Sequence, residues 1–178
     1  RWAALAPDDG TLRASFALNR AGDWEQFNAA LRDFVAPQQN IVYADVDGNI
    51  GFVAPGRVPV RRPDNDLGGF APAPGWDARY DWVGFLPYEA LPRIWKPAAG
   101  SVVTANQDIR PPGYPYFLSA EWTLPYRHDR IVELHALHCR LRGGFGQLHD
   151  RPGYEAEQQD HTDHRNQHRP FAAVQIVG

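Results

Sequence analysis

The sequence predicts an α+β fold on three observations: a hairpin signature at 39–57, an amphipathic helical repeat at 23–34 and a short apolar run at 101–105. Gln39 to Arg57 reads QNIVYADVDGNIGFVAPGR. Two β-branched and aromatic runs, Ile41 to Val46 and Ile50 to Val53, flank Asp47-Gly48-Asn49, residues that tolerate the positive φ of a tight turn. Alternation puts Ile41, Tyr43 and Asp45 on one face and Val42, Ala44 and Val46 on the other. The second face is wholly apolar, so it is the expected core face. Small Ala44 and Gly51 leave room for a close neighbour.

The remaining elements follow in chain order. Arg1 to Ala6 reads as the end of a strand, closed by the turn signal Pro7-Asp8-Asp9-Gly10. Thr11 to Asn19 favours helix, with Leu12, Phe16 and Asn19 three or four apart. The helix at Asp23 to Phe34 has an N-cap in Asp23, Gln26 three residues on, and Trp24, Phe27, Leu31 and Phe34 at helical spacing; Pro37 stops it. Such a stripe is expected to face the core. Pro55 to Gly75 is a long loop, either a substrate-binding or ion-binding segment or a solvated excursion. Trp76, Tyr80, Trp82 and Phe85 could stack on an apolar ligand, though burying the hairpin is the simpler role. Pro87 to Pro92 resembles one helical turn between prolines.

The apolar run Ser101 to Ala105 reads as a buried strand, and Asn106-Gln107-Asp108 ends it. An amide held there could aim its NH2 at a developing negative charge, as an oxyanion hole requires, or Asn106 could simply be a turn residue. Arg127 and Arg130 follow in a helical segment, where arginines three apart are ordinarily surface charges with snorkelling stems.

Composition sets bounds. The 178 residues are 43% hydrophobic and carry a net charge of -3, 18 Lys plus Arg against 21 Asp plus Glu. That length can fill one core, burying roughly 70% of the unfolded surface, and that charge offers no footprint for nucleic acid or an anionic membrane. The sole cysteine, Cys139, leaves the redox compartment open. No run of about 18 apolar residues suggests a membrane span. The chain has no Met and begins in the middle of an apolar run, so it reads as an internal piece of a longer protein.

Four segments carry a family resemblance: YADVDGNIGFVAPGR, PAPGWDARYDWVGFLPYEALPR, SVVTANQ and YPYFLSAEWTLPYRHDRIVEL. In this order they resemble the β-chain of the penicillin acylase (penicillin amidase) family, from about Arg1 to about Leu134. The resemblance implies part of an N-terminal-nucleophile hydrolase, a four-layer αββα sandwich of mostly antiparallel strands, incomplete in this chain. It implies a self-cleaving precursor, a serine nucleophile at the new N-terminus with its own α-amine as base, and an acyl-enzyme. It also implies an oxyanion hole that uses Asn106 and an Arg127 that holds asparagine and nucleophile in place. Gln107 stands where many relatives have a second asparagine.

The implied partners are an α-chain, the remaining β-chain and a small acyl amide, a penicillin or an N-acyl-homoserine lactone, in the periplasm or outside the cell. No catalytic cofactor is implied. A structural calcium is, with one carbonyl ligand near Gly68 to Ala71 and no matched acidic ligands. No segment resembles the nucleophile region, so a non-catalytic remnant or interaction module is the alternative. Residues 135–178 hold six of the seven histidines and read as a divergent, foreign or disordered tail. Its His135-x2-His138-Cys139 and His161-x2-His164-x3-His168 spacings suit a metal-binding module, and Phe171 to Val177 a short strand.

Overall fold

A computed structural model of the chain describes residues 1–149 and 175–177. They divide into two units. The first comprises residues 1–102, 110–120 and 175–177; the second comprises 103–109 and 121–149. The first unit is built on two short helices and two small antiparallel sheets, the mixed α+β content that the sequence predicts.

Helix α1 (Thr11–Leu18) and helix α2 (Trp24–Leu31) pack as a pair. Asp23 caps α2: its Oδ1 accepts from Gln26 N at 2.7 Å, while the Gln26 side chain donates to Asp23 Oδ2 and accepts from Gly22 N. One orphan amide of the first turn, Gln26 N, and the amide of Gly22 just before the cap are thereby satisfied. Thr11 ties the start of α1 to the segment that follows α2, its hydroxyl accepting from Val35 N and Ala36 N and donating to Ala36 O. α1 is a helix as expected, but its buried face is Ala14 and Leu18, while Leu12 and Phe16 are exposed. Close approach to α2 selects the face that carries the small residue.

Strands β1 (Asn40–Ala44) and β2 (Ile50–Val53) form the expected hairpin. β3 (Pro59–Arg61) pairs with β4 (Trp82–Phe85) in a separate two-stranded sheet. β5 (Arg93–Trp95) and β6 (Gln175–Val177) complete the first sheet in the order β5-β2-β1-β6. β6 falls within the strand read at Phe171 to Val177.

The core face of β1 is the reverse of the one expected. Ile41 and Tyr43 are fully buried, Val42 and Ala44 half-buried, and Val46 exposed in the turn. The helices sit over Tyr43 because its hydroxyl has somewhere to go, donating to Asp45 Oδ2 at 3.0 Å. Its ring then joins Trp24, Phe27 and Trp95, with centroids 4.4–5.8 Å apart. Trp24 lies directly over Gly51, where a Cβ would come within 2.6 Å of the indole. That is the close neighbour for which the small residue leaves room. The stripe Phe27, Leu31 and Phe34 is buried as expected, although α2 itself ends at Leu31.

Three other expectations are corrected. Ala3–Leu5 is a 3-10 turn rather than a strand end. Trp76 is 90% exposed, and the ring that stacks over the hairpin is Trp95 from β5, a strand too short to stand out in the sequence. Ser101 to Ala105 is extended chain outside any sheet, with only Ala105 buried. Among the described residues no neighbouring strand offers it a ladder. Helix α3 (Tyr126–His149) covers the predicted helical segment and continues past Leu134. No described helix is long and apolar enough to cross a membrane.

Candidate functional site

The candidate site lies within the second unit, where the turn at 103–107 meets the start of α3. Gln107 shapes the turn: its side-chain oxygen accepts from Ala105 N at 2.7 Å and its NH2 reaches back to Val103 O at 3.4 Å. This side-chain clamp closes the backbone on either side of Asn106. Asn106 then takes φ 64°, a left-handed conformation that asparagine tolerates better than most residues. Its carbonyl accepts from Thr123 N at 3.0 Å, which fixes the turn against the segment leading into α3.

Pro125 starts α3, its carbonyl accepting from Asp129 N at 2.8 Å. Arg127 therefore stands in the first turn, and its Nη1 donates to Asn106 Oδ1 at 3.2 Å. A guanidinium can only donate, so the Asn106 atom facing it must be the amide oxygen. The NH2 of Asn106 is consequently turned to the opposite side, as a donor on a backbone that is held at three points. Arg127 itself is exposed. Arg130, one turn on, pairs with Glu133 at 2.6 Å, the surface role expected of it.

The structure thus brings together the two residues singled out in the sequence and adds Gln107. The sequence signal for Gln107 was only its place beside Asn106. An amide two residues after Ala105 can satisfy that residue's NH, a local bond that competes with strand pairing.

The loop at Pro55 to Gly75 contains β3 and lines a cleft of ≈ 500 Å³ with Arg1, Asn65, Tyr80 and Trp82 among its walls. Asp66 and Asp77 there pair with Arg79. Among the described residues no group of three or more His, Cys, Asp or Glu could hold a metal ion. They do not by themselves fit a calcium. His135 and Cys139 are neighbours on α3, with Sγ 3.8 Å from Nδ1; His161, His164 and His168 lie outside the described residues.

Comparison with known proteins places this geometry in context. A sequence profile of the penicillin amidase family matches residues 1–168, well past Leu134. The chain is 42% identical over 127 residues to an acyl-homoserine lactone acylase, QuiP, of Pseudomonas fluorescens, covering 71% of this chain and 15% of that protein. It is 38% identical over 108 residues to the penicillin acylase 2 proenzyme of a Pseudomonas species, covering 61% and 14%. A thermostable penicillin G acylase from Alcaligenes faecalis superposes with a TM-score of 0.55 at 28% identity, over 66% of this chain and 20% of that one. The chain spans about 15% of the length of the curated relatives it matches.

Proposed function

Because this chain belongs to the penicillin amidase family, we propose that it supplies the oxyanion-stabilising part of an amidohydrolase that cleaves linear amides of acylated amines, penicillins or N-acyl-homoserine lactones. In this reading it is a section of an αββα sandwich completed by an α-chain and the rest of a β-chain, exported to the periplasm or beyond. A structural calcium in that assembly would draw its acidic ligands from outside the described residues.

The observation that carries the reading is the Arg127 to Asn106 hydrogen bond. A serine hydroxyl from elsewhere in the assembly attacks the amide carbonyl, its proton passing to the serine's own α-amine. As the tetrahedral oxygen gains charge, the Asn106 NH2 donates to it. Arg127 keeps the amide in that orientation by occupying Oδ1, and Gln107 keeps the turn that presents it. The intermediate collapses to an acyl-enzyme, the amine leaves with the proton, and water releases the acid. The bond from Asn106 strengthens as charge develops, so it lowers the barrier rather than merely tightening binding.

The test uses the complete precursor. Asn106→Ala is expected to lower kcat roughly a hundredfold to a thousandfold, with a smaller change in KM. Arg127→Ala lowers kcat as well, and Arg127→Lys restores it only in part, since lysine has no planar fork. An unchanged kcat in a normally processed Asn106→Ala enzyme would return Asn106 to the role of a turn residue, which its left-handed backbone also suits. The 178-residue chain alone is expected to show no amidase activity on a chromogenic phenylacetyl or long-chain acyl amide. Saturable turnover abolished by Asn106→Ala would place the nucleophile within it.

A further inference from the structure

Arg61 stands at the end of β3, where the register with β4 shifts: Val60 faces Gly84 but Arg61 faces Trp82. The extra residue, Val83, is on β4, so the irregularity lies opposite the step from Val60 to Arg61. The guanidinium is directed over Gly69, whose φ is +88° and where a Cβ would fall 2.4 Å from Nη2. The positive φ is what favours glycine here, and the absence of a side chain lets the guanidinium lie close to the backbone. Arg61 is half-buried, and its side chain makes neither an ion pair nor a hydrogen bond among the described residues. The nearby carboxylates are already committed, Asp64 to Arg62 and both Asp66 and Asp77 to Arg79.

Arg61 lines two spaces, the ≈ 500 Å³ cleft that it shares with Gly69 and a groove of ≈ 320 Å³ walled by Val60, Phe70, Leu86, Tyr116 and Phe117. Phe70 and Phe117 meet edge to face at 5.6 Å, yet both rings remain about half exposed. An apolar wall with one charged group is the usual composition of a small-molecule site, where the apolar part provides affinity and the polar group orientation. The volume lies at the small end of such pockets, which run from roughly 300 to 1,000 Å³. A planar guanidinium selects a carboxylate by matching it with two parallel hydrogen bonds.

We propose that this groove binds a small monocarboxylate with an apolar aryl or short acyl body, the body lying against Phe70 and Phe117 and the carboxylate on Arg61. The site is made within the first unit and is independent of Asn106 and Arg127. Its occupancy does not depend on any hydrolytic activity of the protein.

Equilibrium dialysis of the complete precursor, and of the dilute 178-residue chain beside it, against radiolabelled 4-phenylbutyrate, with 4-phenylbutyramide as the uncharged competitor, tests it. Saturable binding of the acid is expected, with the amide at least about tenfold weaker, the margin of one charge-assisted pair. Arg61→Gln should weaken the acid about tenfold and leave the amide unchanged, Arg61→Lys should retain part of the preference, and Phe117→Ala should weaken both compounds. Circular dichroism of each variant confirms folding. No saturable binding, equal affinity for acid and amide, or an Arg61→Gln variant indistinguishable from wild type would overturn the proposal. Binding by this chain but not by the complete precursor would overturn it too, because the precursor's own polypeptide would then fill the groove.

Discussion

Asp45 is the residue on which the hairpin turn depends. Its carboxylate accepts from Asp47 N, Asn49 N, the Asn49 side chain and the Tyr43 hydroxyl, at 2.7–3.0 Å. The Asn49 side-chain bond, foremost among these, holds its pKa below the usual carboxylate value. A depressed folded pKa stabilises above the unfolded value, about 3.9, and that stabilisation is lost as pH falls through the folded one. Asp45→Ala is therefore expected to lower Tm at neutral pH and to flatten the acid limb below about pH 4. An acid limb identical to wild type would place the loss elsewhere. Tyr88 contributes to the opposite limb, together with Tyr43, whose phenol is also raised by burial. Burial pushes the Tyr88 phenol up to about 12, and its hydroxyl donates to Asn28 Oδ1 at 2.8 Å. A raised folded pKa stabilises below the unfolded value, about 10, and the contribution drains away as pH climbs towards 12. Tyr88→Phe should remove part of this alkaline loss at a cost of about 1 kcal/mol at neutral pH, as read from Tm between pH 7 and 11. An unaltered alkaline limb would assign the loss to other groups.

At the scale of elements, the contact of α2 with the hairpin is the one most sensitive to a single methyl group. Gly51→Ala puts a Cβ 2.6 Å from the Trp24 ring, and Trp24 cannot retreat because it is stacked between Phe27 and Trp95. The substitution should destabilise by about 1–3 kcal/mol, the range for overpacking, and Phe27→Ala by about 3–5 kcal/mol. Urea titrations of both variants check this, and a neutral Gly51→Ala would mean that the indole has room to move. The elements that could be read from sequence are those with local causes: the Asp23 cap, the Asp47-Gly48-Asn49 turn and the Pro-bounded turn at Tyr88. Those that could not be read depend on distant partners. Which face of β1 is buried was decided by where α2 lands and by a partner for the Tyr43 hydroxyl, whereas alternation alone favoured the purely apolar face. Ser101 to Ala105 has strand composition, but a strand exists only beside another. At the site, Asn106 and Arg127 were legible as candidates through their motifs, while the clamp by Gln107 is a side-chain geometry that residue type alone does not specify.

For the whole molecule, the exposed apolar surface is the property with the most direct consequence. Val83 and Phe85 on β4, Ile94 on β5, and Ile131, Leu134 and Leu137 on α3 are each 41–60% exposed. Among the described residues the sheet of β3 and β4 has two strands, a size that is marginally stable in water and leaves edges to which a further strand can pair. Within each unit, exposed apolar side chains of this kind mark surface that another protein segment can cover. In the proposed assembly, the rest of the precursor provides that cover; for the 178-residue chain in dilute buffer, other copies are the available substitute. The isolated chain is therefore expected to self-associate, with sedimentation coefficients that rise with concentration and a broad thermal transition. Replacing Ile131 and Leu134 on α3 with lysine should shift the distribution towards monomer while each substitution lowers stability by no more than about 0.5 kcal/mol, since exposed positions contribute little to the fold. Because the cause is apolar, moderate salt should strengthen the association rather than dissolve it. A monodisperse monomer with a sharp cooperative melt would show that these surfaces need no partner, and would remove the main physical argument for a larger assembly.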